Sequence, residues 1–252
     1  MLDTALALWY NQLVILLLER TVAMKIYFVR HGHPDYKLDC LTELGEKQAA
    51  VAAEYLRDSG IEVIYSSTKG RAVQTAEYTA RVLGLPVDQR EFMCELGWKS
   101  KDETPIVENG HPWRVTRYRV SQNQTLTNVN WCEDEPYCRS IIVERAQVVI
   151  DGIDAWLAEL GFVREGEFYR VADEIPYKTV AMFSHAGASS AAISHMLNIP
   201  FPQFCGAFKI NFVSSFVIEL AENHGELIYP KIILLDDVLA KSEANTEVFY
   251  GN

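Results

Sequence analysis

Apolar runs rich in β-formers alternate along this chain with stretches whose apolar positions recur at helical spacing. Residues 25–30, Lys-Ile-Tyr-Phe-Val-Arg, predict a buried strand that breaks off at His31-Gly32. Residues 42–57 predict a helix with Thr42 as its N-cap and Gly60 near its stop. A second apolar run, 61–65, predicts a strand and leads into a helix over 70–83 that ends at Gly84. Further on, 140–160 predicts a long helix and 162–177 a hairpin around Glu165-Gly166. Residues 179–183 predict a strand, 188–197 a helix, and 211–220 with 227–235 a strand pair across Asn223-His224-Gly225. Between them, 99–137 is polar and aromatic, broken by Pro105, Pro112 and Pro136, and predicts an insertion with short helices that covers the site. This alternation points to one α/β domain over 24–236, a mostly parallel central sheet with helices on both faces.

The ends differ. Residues 237–252 predict a polar tail. In 1–23 the side chains of Leu2, Leu6, Trp9, Leu13 and Leu16 fall on one helical face. The apolar core of this extension is shorter than the roughly 20 residues of a membrane span. Asp3 stands where a signal peptide carries basic residues. An amphipathic helix packed on the domain or on a partner is therefore expected, with no membrane span. Met24 stands directly before the first strand.

Charge narrows the function classes. A net charge of -11 over 252 residues makes nucleic acid an unfavourable partner. The five cysteines, Cys40, Cys94, Cys132, Cys138 and Cys205, have no paired framework and no C-x-x-C spacing. They read as free thiols of a cytoplasmic protein. His31 and His33 are close, but no metal-ligand cluster stands out, so neither metal nor cofactor is expected.

The candidate chemistry sits where strands end. Arg30-His31-Gly32, Ser66-Ser67 with Arg71, and Ser184-His185-Ala186-Gly187 each follow a predicted strand. In open α/β sheets the carboxyl ends of strands are where ligands bind. An arginine can grip a phosphate through two parallel hydrogen bonds while an imidazole attacks it.

These pieces, with the segment 41–49 (Leu-Thr-Glu-Leu-Gly-Glu-Lys-Gln-Ala) and Gln74-Thr75-Ala76, resemble the histidine phosphatase superfamily, also called the phosphoglycerate mutase-like family, over about residues 25–219. The resemblance implies a three-layer sandwich and a metal-independent phosphomonoesterase acting on a small phosphorylated substrate. It implies that His31 is the nucleophile, that Arg30 and Arg71 clamp the phosphate, and that His185 donates to the same oxygens. A carboxylic acid must also protonate the leaving group. Glu91 and Glu95 are the candidates, and Met93-Cys94-Glu95 before Gly97-Trp98 fits the family's pattern better, so Glu95 is preferred.

Substrate contacts stay open at His33 and Lys69, where Ser67-Thr68-Lys69 replaces the family's usual Ser-Pro pair. They stay open too at His111, Trp113, Arg114, Arg117 and Arg119 in the insertion, which an amphipathic charged helix would explain equally well. Two alternatives remain: a mutase-type phosphotransferase and a non-catalytic phosphoanion-binding protein. His33-Pro34-Asp35 stands where the mutase branch has Glu-Ser, and its Glu-Arg-His-Tyr-Gly segment is missing. Oligomeric state is undetermined, a homo-oligomer included.

Overall fold

The computed structural model describes residues 23–236. The expected amphipathic helix over the extension and the polar tail fall on residues outside the described ones. A six-stranded mixed sheet forms the centre, in the order β11-β9-β1-β8-β4-β5. Its strands are β1 (Ala23–Arg30), β4 (Val63–Ser66), β5 (Val87–Gln89), β8 (Thr179–Ser184), β9 (Ser215–Ala221) and β11 (Lys231–Asp236). Strands β1, β8, β4 and β5 run parallel, while β9 and β11 add an antiparallel edge.

Alternation along β1 and β8 explains the layers. Met24, Ile26 and Phe28, with Val180 and Met182, pack on one face against α4 (Ile142–Glu159) and α5 (Ala186–Met196). Val29, Ala181 and Phe183 pack on the other with Ala76 and Ala80 of α2 (Gly70–Leu83). Side chains pointing to both faces are buried because helices cover both. The expected three-layer α/β fold is thus what the chain adopts.

Local signals place the helix ends. Thr42 caps α1 (Glu43–Tyr55), its hydroxyl accepting the Gly45 amide at 3.2 Å. Gly84 closes α2 with φ 70°, in the left-handed region that glycine enters freely. The insertion holds α3 (Pro112–Ser121) among short 3-10 turns, and α6 (Phe201–Ala207), not anticipated from the sequence, follows α5.

The structure corrects one expected strand pair. Residues 227–235 do not form a single strand beside β9. They divide at Pro230: Leu227–Ile228 (β10) pairs with β7 (Phe168–Val171) of the hairpin formed with β6 (Phe162–Glu165), and β11 pairs with β9. Proline has no amide to donate to a ladder, so the chain leaves one sheet and enters the other there. A short hairpin, β2 (Pro34–Asp35) with β3 (Cys40–Leu41), was also not anticipated.

Two glycines fix the turn after β1. A Cβ on Gly45 would stand 2.1 Å from the His33 carbonyl oxygen, and one on Gly32 would stand 2.6 Å from the Gly45 carbonyl oxygen. The N-terminus of α1 is therefore pressed backbone to backbone onto the turn. Gly45→Ala should destabilise the protein by about 1–3 kcal/mol or more, because backbone cannot yield as a flexible side chain can. Urea unfolding checks this, and an unchanged midpoint would show that the contact relaxes freely.

Candidate active site

Sheet register assembles the site. Arg30 pairs with Ser184 across β1 and β8, and Ser66 pairs with Phe183 across β4 and β8. The residues just beyond these ends, His31, His185 and Ser67, therefore meet at one edge. The His31 and His185 rings lie 5.1 Å apart, centroid to centroid.

His31 is 1% exposed. Its Nδ1–H donates to the Gly32 carbonyl at 2.7 Å, which leaves the lone pair on Nε2. Arg71 Nε–H points at that nitrogen from 3.4 Å. Burial, and then the positive charge of Arg30 and Arg71, holds the His31 pKa well below the ordinary histidine range. Both arginines push in this direction, but desolvation outweighs them. The result is a neutral imidazole with a directed lone pair, which is the form a nucleophile needs.

His185 stands at the N-cap position of α5, fully buried, with Nε2 2.8 Å from Ser67 Oγ. Ser67 Oγ in turn accepts the Lys69 amide at 3.3 Å. Burial and the neighbouring His31, Arg71 and Arg30 hold its pKa well down also.

Arg30 stacks on Phe212, Cζ 4.0 Å from the ring centroid, and donates from Nη1 to the Ile210 carbonyl at 2.7 Å. Its Nε–H is buried without a protein partner. Burial lowers its pKa, with Tyr36 and Glu95 acting the other way. An unsatisfied buried guanidinium donor is costly, and an anion bound there would relieve it. The loop that supplies these contacts is strained: Val213 has φ 51°, rare for a β-branched residue, and its amide donates to the Arg30 carbonyl.

Of the two acid candidates, Glu91 is exposed on a 3-10 turn. Glu95 is drawn into the site: Oε1 accepts the amides of Leu96 at 3.0 Å and of Ala188, in the first turn of α5, at 3.3 Å. Its carboxyl pKa is raised by burial, against the pull of Arg30 and Arg71. That suits a group that must hold a proton near neutral pH.

The remaining candidates divide. His33 Nδ1 lies 2.9 Å from Thr42 Oγ1 and its amide donates to Gln48, so it ties the turn to the start of α1. Lys69 is exposed at the N-cap position of α2, near enough to His185 to lower its pKa. His111 packs edge-on against Trp98, centroids 4.9 Å apart, and lies 5.8 Å from Trp113. Burial lowers its pKa, with Arg114 and Arg30 adding to the effect, which places this part of the insertion within electrostatic reach of Arg30. Arg114 is half-buried on α3. Arg119 is not a pocket residue: it is buried, paired with Asp134 at 2.8 Å and donating to the carbonyls of Thr125 and Glu135. Sequence reasoning missed Tyr36, Asp39, Ser67 as a partner of His185, and Phe212. Among the described residues no group of three or more His, Cys, Asp or Glu is placed to hold a metal ion. No helix among them is long and apolar enough to cross a membrane.

The model of the histidine phosphatase superfamily (branch 1) matches residues 26–231, and the chain belongs to that family. A Yersinia pestis (strain Pestoides F) protein described as probable phosphoglycerate mutase GpmB is 33% identical over 92 residues, 33% of this chain and 43% of that protein. The match thus spans less than half the length of that curated relative. Among solved structures, mycobacterial glucosyl-3-phosphoglycerate phosphatase is similar with a TM-score of 0.55 at 23% identity, covering 84% of this chain and 98% of the other. The Entamoeba histolytica phosphoserine phosphatase crystallised with 3-phosphoglyceric acid gives 0.54 at 19% identity, covering 85% and 97%. At these identities the structures establish the shared fold.

The two depressed histidines make stability pH-dependent. The unfolded chain takes up protons near pH 6.5 that the folded site refuses. Their contribution is present above about pH 6.5 and lost as pH falls toward the folded values. Glu95, with a raised pKa, works in the opposite sense: its contribution is present below the ordinary carboxyl value and lost as pH rises through the folded one. Comparing wild type with His185→Asn isolates one imidazole. Between pH 6.5 and 5.5 the variant should lose about 1 kcal/mol less stability than wild type. Equal losses in urea unfolding would show that His185 titrates as an ordinary histidine.

Proposed function

We propose that this chain is a metal-independent phosphomonoesterase that works through a phosphohistidine on His31 and acts on a small phosphorylated substrate. The observation that carries the reading is the His31 tautomer: Nδ1 is engaged by the Gly32 carbonyl while Nε2 keeps its lone pair beside Arg71. In the first step Nε2 attacks phosphorus in line, the P–O bond to the leaving group breaks, and Glu95 gives its proton to the departing oxygen. In the second, water attacks phosphorus, Glu95 takes the proton, and the P–N bond breaks to release phosphate. Arg30 and Arg71 hold the equatorial oxygens as charge spreads over them, and His185 stands beside them as a further donor. Every step has a group of this chain to perform it, so none requires a metal.

A second reading, a mutase-type phosphotransferase, is favoured by the partial similarity to the Yersinia protein. There the phosphohistidine would return its phosphoryl group to a sugar acid instead of water. Turnover of 3-phosphoglycerate separates the two, by free phosphate in one case and isomerised product in the other.

His31→Ala should lower turnover of an aryl phosphate by about 10⁴-fold or more, the scale of loss for a covalent nucleophile. Wild-type protein quenched during turnover should carry acid-labile, base-stable phosphate on His31, and EDTA should leave the rate unchanged. Activity within tenfold of wild type in the variant would remove His31 from the mechanism.

Glu95→Gln should depress hydrolysis of alkyl phosphates far more than that of aryl phosphates, because a phenolate leaves without a proton. Equal losses on both would assign Glu95 another role, and the differential effect appearing in Glu91→Gln would move the assignment there.

A further inference from the structure

Arg71, one of the two proposed phosphate-holding arginines, already has an anionic partner. The tip of the β2–β3 hairpin, Tyr36 to Asp39, sits over the start of α2. Asp35 Oδ1 accepts the amides of Lys37 and Leu38 at 2.8 and 3.1 Å, which shapes the tip. Leu41 N–H donates to Gln74 of α2 at 2.7 Å, which pins its base. Asp39 adopts φ 51°, and this turn sends its carboxylate inward. One oxygen, Oδ2, accepts the Gly70 amide at 3.0 Å; the other, Oδ1, accepts from Arg71 Nη1. The approach is close enough that a Cβ on Gly70 would stand 2.2 Å from the Asp39 carbonyl oxygen. Tyr36, 67% exposed, lies with its ring 5.3 Å from the Arg71 guanidinium carbon and beside Arg30.

A carboxylate oxygen on Arg71 occupies a donor that a phosphate oxygen would use, since guanidinium binds both anions through the same donor geometry. Phosphate and Asp39 therefore compete. The Asp39 side chain is 40% exposed, against 9% for Arg71, so the carboxylate faces outward once it is released. A released carboxylate would remain an anion at the exposed edge of the site, next to whatever the phosphate carries.

We infer that Asp39 is a specificity-determining residue: it competes with the substrate phosphate for Arg71 and, displaced, favours leaving groups bearing an ammonium or hydroxyl over those bearing a carboxylate. The inference rests on reading Arg30 and Arg71 as the phosphate clamp, but not on His31 as nucleophile. The substrate class it points to is phosphorylated amino alcohols and polyols, ahead of phosphorylated hydroxy acids. Like charges brought together at a mouth lower affinity, and a donor facing a carboxylate raises it.

Phosphonates test this without turnover, because their C–P bond gives a phosphomonoesterase nothing to cleave. The full chain and its Asp39→Asn variant are titrated by calorimetry with inorganic phosphate, 2-aminoethylphosphonate and 3-phosphonopropionate. Asparagine tolerates the left-handed conformation and can still accept the Gly70 amide, so the turn is kept while the charge is lost. Wild type should bind the amino compound about tenfold more tightly than the carboxylate compound. Asp39→Asn should bind inorganic phosphate about tenfold more tightly than wild type, with the preference collapsing to about twofold. Inorganic phosphate bound equally or more weakly by the variant would overturn the competition and leave Asp39 as a support for Arg71. A preference unchanged by the substitution would overturn its role in selectivity. Circular dichroism of the variant, together with Tyr36→Phe as a second substitution in the same hairpin that leaves the charge in place, separates charge from folding: the preference should persist in Tyr36→Phe. His31→Ala turnover tests the phosphohistidine reading independently, so either can fail alone.

Discussion

The parallel register of β1 against β8 is the constraint on which the site depends. With Arg30 opposite Ser184, both strands end at the same level, and the next residue of each is a histidine. A shift of one residue in that pairing would turn one imidazole to the opposite face of the sheet, since side chains alternate along a strand. The register is held by apolar side chains on both faces: Met24, Ile26 and Phe28 toward α4 and α5, Val29 and Phe183 toward α2. The core that stabilises the protein and the alignment that brings His31 within 5.1 Å of His185 are therefore the same packing. The turn after β1 then does a second job. Gly32, which lies tight against the Gly45 backbone, also supplies the carbonyl that selects the His31 tautomer.

Electrostatics follow from that geometry. The protein is strongly acidic as a whole, yet its buried edge gathers two guanidinium groups beside two imidazoles. Bringing these together is costly, and the fold offsets the cost in three ways. The imidazoles stay neutral. Arg30 spreads its charge over the Phe212 ring and the Ile210 carbonyl. Arg71 pairs with Asp39. Glu95 completes the arrangement from the connection that follows β5, held by an amide at the start of α5. Desolvation pushes its carboxyl and the His31 imidazole in opposite directions, one toward holding a proton and the other toward losing it. One environment thus favours the protonated carboxyl and the neutral imidazole together, the pair of states that the proposed mechanism uses.

Much of this was legible in the sequence because it depends on local pattern. His31 and His185 each end an apolar run before a glycine or a helix, and Arg71 opens the helix that follows another, so strand ends could be read directly. Thr42 and Gly84 were legible as caps because capping is a property of one residue and its nearest neighbours. Glu95 could be preferred over Glu91 only by likeness to the family pattern; burial, which separates them physically, is a tertiary property. The contacts of Ile210 and Phe212 with Arg30 come from a loop about 180 residues further along the chain, and the first is made by a backbone carbonyl. No residue type announces a carbonyl. Pro230 was visible as a breaker, but the sheet each half would join depended on which edges were open.

Asp39 shows the same limit from another side. Its position depends on a left-handed backbone angle, a two-residue strand pair too short to leave a periodic signal, and an approach to Gly70 and Arg71 about thirty residues later. Read alone, it is one of many surface acids in an acidic chain. Placed by the hairpin, it is the anion that Arg71 holds. The catalytic parts of such a site can be read at strand ends because their chemistry demands particular residue types there. Parts that tune affinity are free to come from any segment that reaches the mouth. They are therefore set by loop geometry, and become readable only once the backbone path between Gly32 and Thr42 is known.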